Sequence, residues 1–264
     1  MQAPARRIPG PMLRRRELEA IRGLQLESSS SVAGPNNLLR VPALHSFPMV
    51  VAAAAPKLSL QCETIAGDTS TIRSLDWDRS RFDIEFGLRN GTTYNAFLVR
   101  GERTALIDTS HAKFRDTWIP LLKEQIEPTA IDVLIVSHTE PDHSGLIGDL
   151  IDLNPDIEIV GSKVALQFLQ DQVHRPFKSR AVKSGEELDL GTNPESGIQH
   201  RFEFLSAPNL HWPDTIFSFD HGTGILYTCD AFGLHYCSDD VFDSDPGAIA
   251  PDFRFYYDCL MGPN

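Results

Sequence analysis

Past Lys57 the chain is punctuated by short apolar runs of strand length, separated by polar turns and helical stretches. "TTYNAFLVRG" (92–101) and "RTALIDTS" (103–110) read as two strands joined at Gly101-Glu102, a hairpin signal. Over 114–126, Phe114, Trp118, Leu121, Leu122 and Ile126 recur at helical spacing, and Pro128 closes the helix. "IDVLIVSH" (131–138) is continuously apolar at its centre, the pattern of a strand covered on both faces. A helix over 142–155, a strand over 156–162 and a helix over 163–173 follow. After Gly185 the strand pattern resumes at 201–208, 214–220 and 223–230, the last two joined by His221-Gly222. Strands alternating with helices, then antiparallel pairs, predict an α/β fold of two sheets packed face to face with helices outside.

The first 56 residues break this pattern. They hold seven arginines, no lysine, three acids and the run Ser28–Ser31, with neither helix nor strand periodicity. That composition predicts a disordered, transit-peptide-like tail over 1–56 and a folded domain over 57–264. The folded part carries 17 basic and 33 acidic residues, a net charge of −16, which argues against nucleic acid as a partner. No apolar stretch approaches the roughly 20 residues of a membrane-spanning helix. Cys62, Cys229, Cys237 and Cys259 form no CxxC pair, so a reducing compartment is expected rather than a disulfide framework.

Candidate chemistry concentrates in "SHTEPDHSG" (137–145), directly after the buried-strand pattern. His138, Glu140, Asp142 and His143 leave the C-terminal end of a strand, where open α/β sheets place their ligand sites. Two residues apart in extended chain, His138 and Glu140 point the same way, while Asp142 and His143 reach a second point one turn on. Imidazole and carboxylate together suit iron, zinc or manganese, and two such groups can hold a metal pair. His211, just past the strand 201–208, and Asp230, ending the strand 223–230, also come from strand ends. A His-x-Glu pair alone is more often a solvated surface pair, and Asp142 and His143 could serve only as helix caps. Six such residues at strand ends are better explained as ligands. His111, His174, His200 and His221 lack this setting and read as surface residues.

His-x-Glu-x-Asp-His, then His211, then eighteen residues and Asp230, resembles the metallo-β-lactamase-like domain of flavodiiron proteins. The flanks "LHWPDTIFSF", "DAFGLH" and "FYYDCLMGP" resemble it too, from about residue 65 to the chain end. The resemblance implies a metallo-β-lactamase-like αββα sandwich holding two iron ions. It places His138, Glu140 and His211 on one iron, Asp142 and His143 on the other, and Asp230 between both. Hydrolases of the superfamily carry histidine where Glu140 stands. His235 matches a family position near the site and is expected to support the ligands from behind, and Trp212 to pack as scaffold. The family's remaining histidine, and the flavodoxin-like domain that carries FMN, fall beyond Asn264. The fold is therefore expected to be incomplete at the C-terminus, the chain an N-terminal fragment, and the 264 residues alone inactive.

For the parent protein the resemblance implies reduction of O2 to water, with NO to N2O as the family's other reaction. Electrons would come from NAD(P)H or ferredoxin through FMN, in a head-to-tail homo- or heterodimer. Photosynthetic members act as an electron outlet downstream of photosystem I, and with the transit-like tail this implies the chloroplast stroma. Two other readings stand beside it: a dinuclear zinc hydrolase of the glyoxalase type, and a non-catalytic partner subunit.

Overall fold

A computed structural model shows the fold of residues 57–82, 86–243 and 245–262; the tail expected over 1–56 lies outside the described residues. In chain order, β1 (Leu58–Ala66) and β2 (Thr69–Asp76) precede the short pair β3 (Arg81–Phe82) and β4 (Phe86–Gly87). Then come β5 (Thr92–Arg100), β6 (Thr104–Ile107), α1 (Arg115–Gln125), β7 (Val133–Ile135), α2 (Pro141–Ser144) and α3 (Ile147–Leu153). β8 (Glu158–Gly161), α4 (Lys163–Val173) and β9 (Lys178–Ala181) complete the first half. The second half holds β10 (Glu187–Thr192), β11 (Gln199–Ser206), β12 (Ile216–Asp220), β13 (Ile225–Tyr227) and α5 (Pro246–Tyr256).

Seven strands make one mixed sheet in the order β1-β2-β5-β6-β7-β8-β9. Pairing is antiparallel as far as β6 and parallel from β6 to β9. β10 to β13 form a second, antiparallel sheet. Side-chain alternation along the central strands explains the layering. Leu98, Leu106, Leu134 and Ile159 point to one face and meet Trp118, Leu122, Leu150 and Leu169 of the helices. Their neighbours Val99, Ile107, Ile135 and Val160 point to the other and meet Leu188, Leu190, Phe202, Phe204 and Ile216 of the second sheet. The continuous apolar run at 133–136 is thus explained: both of its faces are covered.

The structure departs from the sequence pattern where local punctuation overrides it. The single helix expected over 142–155 is two, α2 and α3, divided at Gly145-Leu146. A Cβ on Gly145 would lie 2.4 Å from the Pro141 carbonyl oxygen and 2.8 Å from both Ala112 N and Ser110 O, so close backbone approach fixes glycine there. β1 to β4, β9, β10 and α5 match no element expected from the sequence pattern. α5 begins at Pro246, capped by Asp245, whose side chain accepts from Gly247 N and Ala248 N, and it tolerates Pro251 inside. His200, expected at the surface, is completely buried on β11. Its Nδ1 lies 2.8 Å from Asp220 Oδ2 and its Nε2 3.3 Å from Asp68 Oδ2, so it ties the second sheet to the β1–β2 turn of the first. His174 and His221 are exposed and His111 is half-buried, each close to expectation. Among the described residues no helix is long and apolar enough to cross a membrane.

Candidate metal centre

Parallel pairing aligns the C-terminal ends of β6 and β7, and the chain leaves both at one edge of the sandwich. Asp108 follows β6, and residues 137–143 follow β7. The β11–β12 loop brings His211 to the same edge, and the turn after β13 brings Asp230. One backbone bond fastens the two sheets there, Ile216 N donating to Ser137 O at 2.8 Å, while Asp108 N donates to Ile135 O at 2.9 Å and extends the β6–β7 pairing within the first sheet. Asp214 Oδ2 accepts from both N and Oγ1 of Thr139, each at 2.8 Å, and so holds the ligand loop from the second sheet.

All six sequence-derived residues meet at this edge. His138 Nε2 lies 3.2 Å from Glu140 Oε2, so the two residues do point the same way. His211 Nε2 is 2.9 Å from the same Glu140 oxygen. Asp230 Oδ2 faces this group, 3.0 Å from His211 Nε2 and 3.3 Å from His138 Nε2. Those four donors lie within 4.8 Å of one another. Asp230 Oδ1 turns the other way, 2.9 Å from His143 Nε2, which is 3.7 Å from Asp142 Oδ2. One carboxylate therefore serves two separate donor groups, one on each oxygen. Asp142 Oδ1 is buried without a partner among the described residues, as a ligand oxygen facing an ion would be. Three imidazoles and three carboxylates in this arrangement fit two metal ions of the iron, zinc and manganese class.

The supporting groups were less visible in the sequence. Asp108 accepts from Ser137 N at 2.7 Å with Oδ1 and meets His143 Nδ1 at 3.1 Å with Oδ2, which leaves His143 Nε2 aimed at Asp230. The Tyr256 hydroxyl donates to the Asp230 carbonyl at 3.1 Å. His235 Nδ1 is 3.0 Å from Thr92 Oγ1, and its ring packs 4.2 Å from Phe82 and 5.0 Å from Tyr256, centroid to centroid. Trp212 lies with its ring centroid 6.0 Å from that of His138, in keeping with a packing role. A cavity of about 190 Å³ adjoins the site, lined by Thr92, Asp142, His143, Asp230, His235 and Tyr256 among others. Asn209, Cys229 and Phe232 take positive φ (67°, 45° and 64°) on the turns that carry His211 and Asp230, and Asp108 (56°) does so on the turn after β6 that supports His143. Each such non-glycine position costs of order 1–3 kcal/mol, and such costs cluster where function fixes the backbone.

Comparison with known proteins agrees with the geometry. Residues 92–262 match the family described as ODP family beta lactamase. Diflavin flavoprotein A 1 of a Synechocystis species is 61% identical over 208 residues, covering 79% of this chain and 35% of that protein. The chain belongs to the flavodiiron family. Its fold superposes on the flavodiiron core of Flv1 from Synechocystis with a TM-score of 0.73 at 32% identity, over 79% of this chain and 51% of that one. Against rubredoxin oxygen:oxidoreductase of Desulfovibrio gigas the TM-score is 0.71 at 27% identity, over 77% of this chain and 50% of that one. The metallo-β-lactamase-like sandwich expected from the sequence is the fold found. The chain spans about 35% of the length of the diflavin flavoproteins it matches.

The buried charges constrain one another. Burial alone would depress His138, but the charge and hydrogen bond of Asp230 raise it well above the usual imidazole value. His143 is likewise depressed by burial and raised further by Asp142 and Asp230. His211, against its burial, is raised to about 9 by hydrogen bonds to Asp230 and Glu140. Burial works to raise Glu140, yet bonds from His138 and His211 hold it at about 2. Asp142 is pushed up to about 7 by burial, with His143 opposing.

Raised imidazoles contribute stability in full below their ordinary value of 6.5, and lose it as pH rises through the folded values, about 9 for His211. Asp142 acts in the same direction below about 7, while the Glu140 contribution is lost only as pH falls from 4.5 toward about 2. Metal competes for the same imidazoles as protons do. The melting temperature of metal-free chain should therefore fall between about pH 6.5 and 9, and the gain on loading metal should widen over that window. Scanning calorimetry of both forms at the two ends checks this, and an unchanged gain would contradict it.

Proposed function

We propose that these residues form the non-haem diiron centre of an oxidoreductase that reduces O2 to water, with NO to N2O as its second reaction. The observation that carries the reading is Asp230 dividing its two oxygens between the His138–Glu140–His211 group and the His143–Asp142 group. Glu140 supports iron over zinc hydrolysis, because a third carboxylate adds negative charge and hard oxygen donation that favour higher oxidation states. An iron pair held by His138, Glu140, His211, Asp142, His143 and Asp230 would supply the redox chemistry, with FMN as the source of electrons. The protein's own share is positional. Asp108 fixes which nitrogen His143 presents, and Tyr256 steadies the turn that carries Asp230. The cavity of about 190 Å³ beside these residues has room for a diatomic molecule.

The donor we propose is NAD(P)H or ferredoxin, reaching the centre through FMN in a head-to-tail dimer with a second flavodiiron subunit. Leu210 and Phe232, exposed on the two loops that carry His211 and Asp230, support such a docking face. The compartment we propose is the chloroplast stroma, where the protein would serve as an electron outlet of photosynthesis.

Two measurements test these points. Ferrous iron titrated anaerobically into the metal-free chain should bind in two steps, tightly at His138–Glu140–His211–Asp230 and more weakly at Asp142–His143–Asp230. Asp230→Asn should weaken both steps by more than the roughly 10–100-fold typical of losing a group behind the ligands. Two zinc ions with esterase activity after iron-replete expression would support the hydrolase instead, and no metal uptake would support the non-catalytic subunit. For the compartment, residues 1–60 fused to a fluorescent protein should enter plastids, and cytosolic fluorescence would sink that claim alone.

A further inference from the structure

His235 holds one nitrogen that the site, as described so far, leaves without a task. Its Nδ1 is bonded to Thr92 Oγ1 at 3.0 Å, while Nε2 is buried and has no partner among the described residues. The ring cannot easily turn away, being held between Phe82 and Tyr256. Leaving a buried ring nitrogen without a partner is costly, so its persistence asks for an occupant. His235 lines the cavity of about 190 Å³ together with Asp142, His143 and Asp230. It also lines an outer pocket of about 560 Å³ with Leu88, Phe255 and Cys259, and so stands where both hollows meet its ring.

The neighbour decides which tautomer is present. The Thr92 side chain is almost fully buried, and His235 Nδ1 is the partner its hydroxyl has among the described residues. If Nδ1 carried the proton, the hydroxyl hydrogen would be buried with nothing to receive it. Donation from Thr92 Oγ1 to Nδ1 satisfies both groups and puts the imidazole proton on Nε2. Burial keeps the ring neutral, at about 4. A protonated Nε2 donates a hydrogen bond and is not a metal ligand.

We propose that His235 donates a hydrogen bond from Nε2 to a small lone-pair-bearing ligand, a diatomic molecule or monoanion, held in the cavity beside Asp142, His143 and Asp230, and that Thr92 fixes the tautomer. The inference rests on the diiron reading and makes His235 a positioning residue for the exogenous ligand.

Azide titrated into the iron-loaded 264-residue chain, followed by charge-transfer absorbance with iron content measured in parallel, tests it. His235→Asn keeps a polar atom near Nδ1 for Thr92 but removes the Nε2 donor, and should weaken azide about tenfold, the worth of one net hydrogen bond. His235→Gln places an amide N–H near Nε2 and should recover most of the affinity. Thr92→Val should lose part of it and add little on top of His235→Asn, because the two act through one bond. Iron content should match wild type throughout. Equal azide affinity in wild type and His235→Asn overturns the inference and leaves the diiron reading standing. Loss of iron in both His235 variants also overturns it, since His235 would then be a ligand. A wild-type chain that takes up no iron takes down the diiron reading and the inference together.

Discussion

Asp230 is the residue on which the rest of the site depends. Its carboxylate lies between His138 and His211 on one side and His143 on the other, and against its burial His143 and His138 hold it well below the usual carboxylate range. Removing a charge so placed would leave buried imidazoles facing Glu140 and Asp142 without a common counter-ion. Buried charges persist only when paired or bound to metal. The two-oxygen arrangement is thus both the electrostatic keystone of the folded edge and the feature that would give a metal pair a shared ligand.

The sandwich exists, for function, to bring four chain segments to one edge. Strands β6 and β7 pair in parallel, so their ends deliver Asp108 and the His138–His143 loop side by side. The second sheet delivers His211 and Asp230, and Asp214 and Ile216 bond across to Thr139 and Ser137 to lock the two halves in register. Side-chain alternation supplies the adhesion, with Val99, Ile107 and Ile135 buried between the sheets. The strained turns at Asp108, Asn209, Cys229 and Phe232 are where that rigid scaffold holds the backbone in conformations it would otherwise avoid.

What the sequence disclosed and what it hid have physical reasons. The candidate ligands packed into six residues after an apolar run were legible because two constraints coincide, a strand end and a spacing of two. His211 and Asp230 were legible because each lies within a few residues of the end of a strand, β11 and β13. Asp108, Asp214 and Thr92 were not, since each is a single polar residue whose partner lies tens of residues away and no local pattern marks it. His200 was misplaced for the same reason: Asp68 is 132 residues distant. β2 is buried along its whole length yet carries Thr69, Ser70, Thr71, Arg73 and Ser74, which erases the alternation a strand would show. The break in the helix over 142–155 depended on the approach of Ala112 and Ser110 to Gly145, a tertiary contact that helical periodicity does not encode.

The most direct test of the account is a crystal structure of the iron-loaded chain with anomalous data collected at the iron absorption edge. The account predicts two iron peaks, one bounded by His138, Glu140 and His211, the other by Asp142 and His143, with one Asp230 oxygen directed at each. A single peak, or two peaks with Asp230 turned away from either, would contradict it.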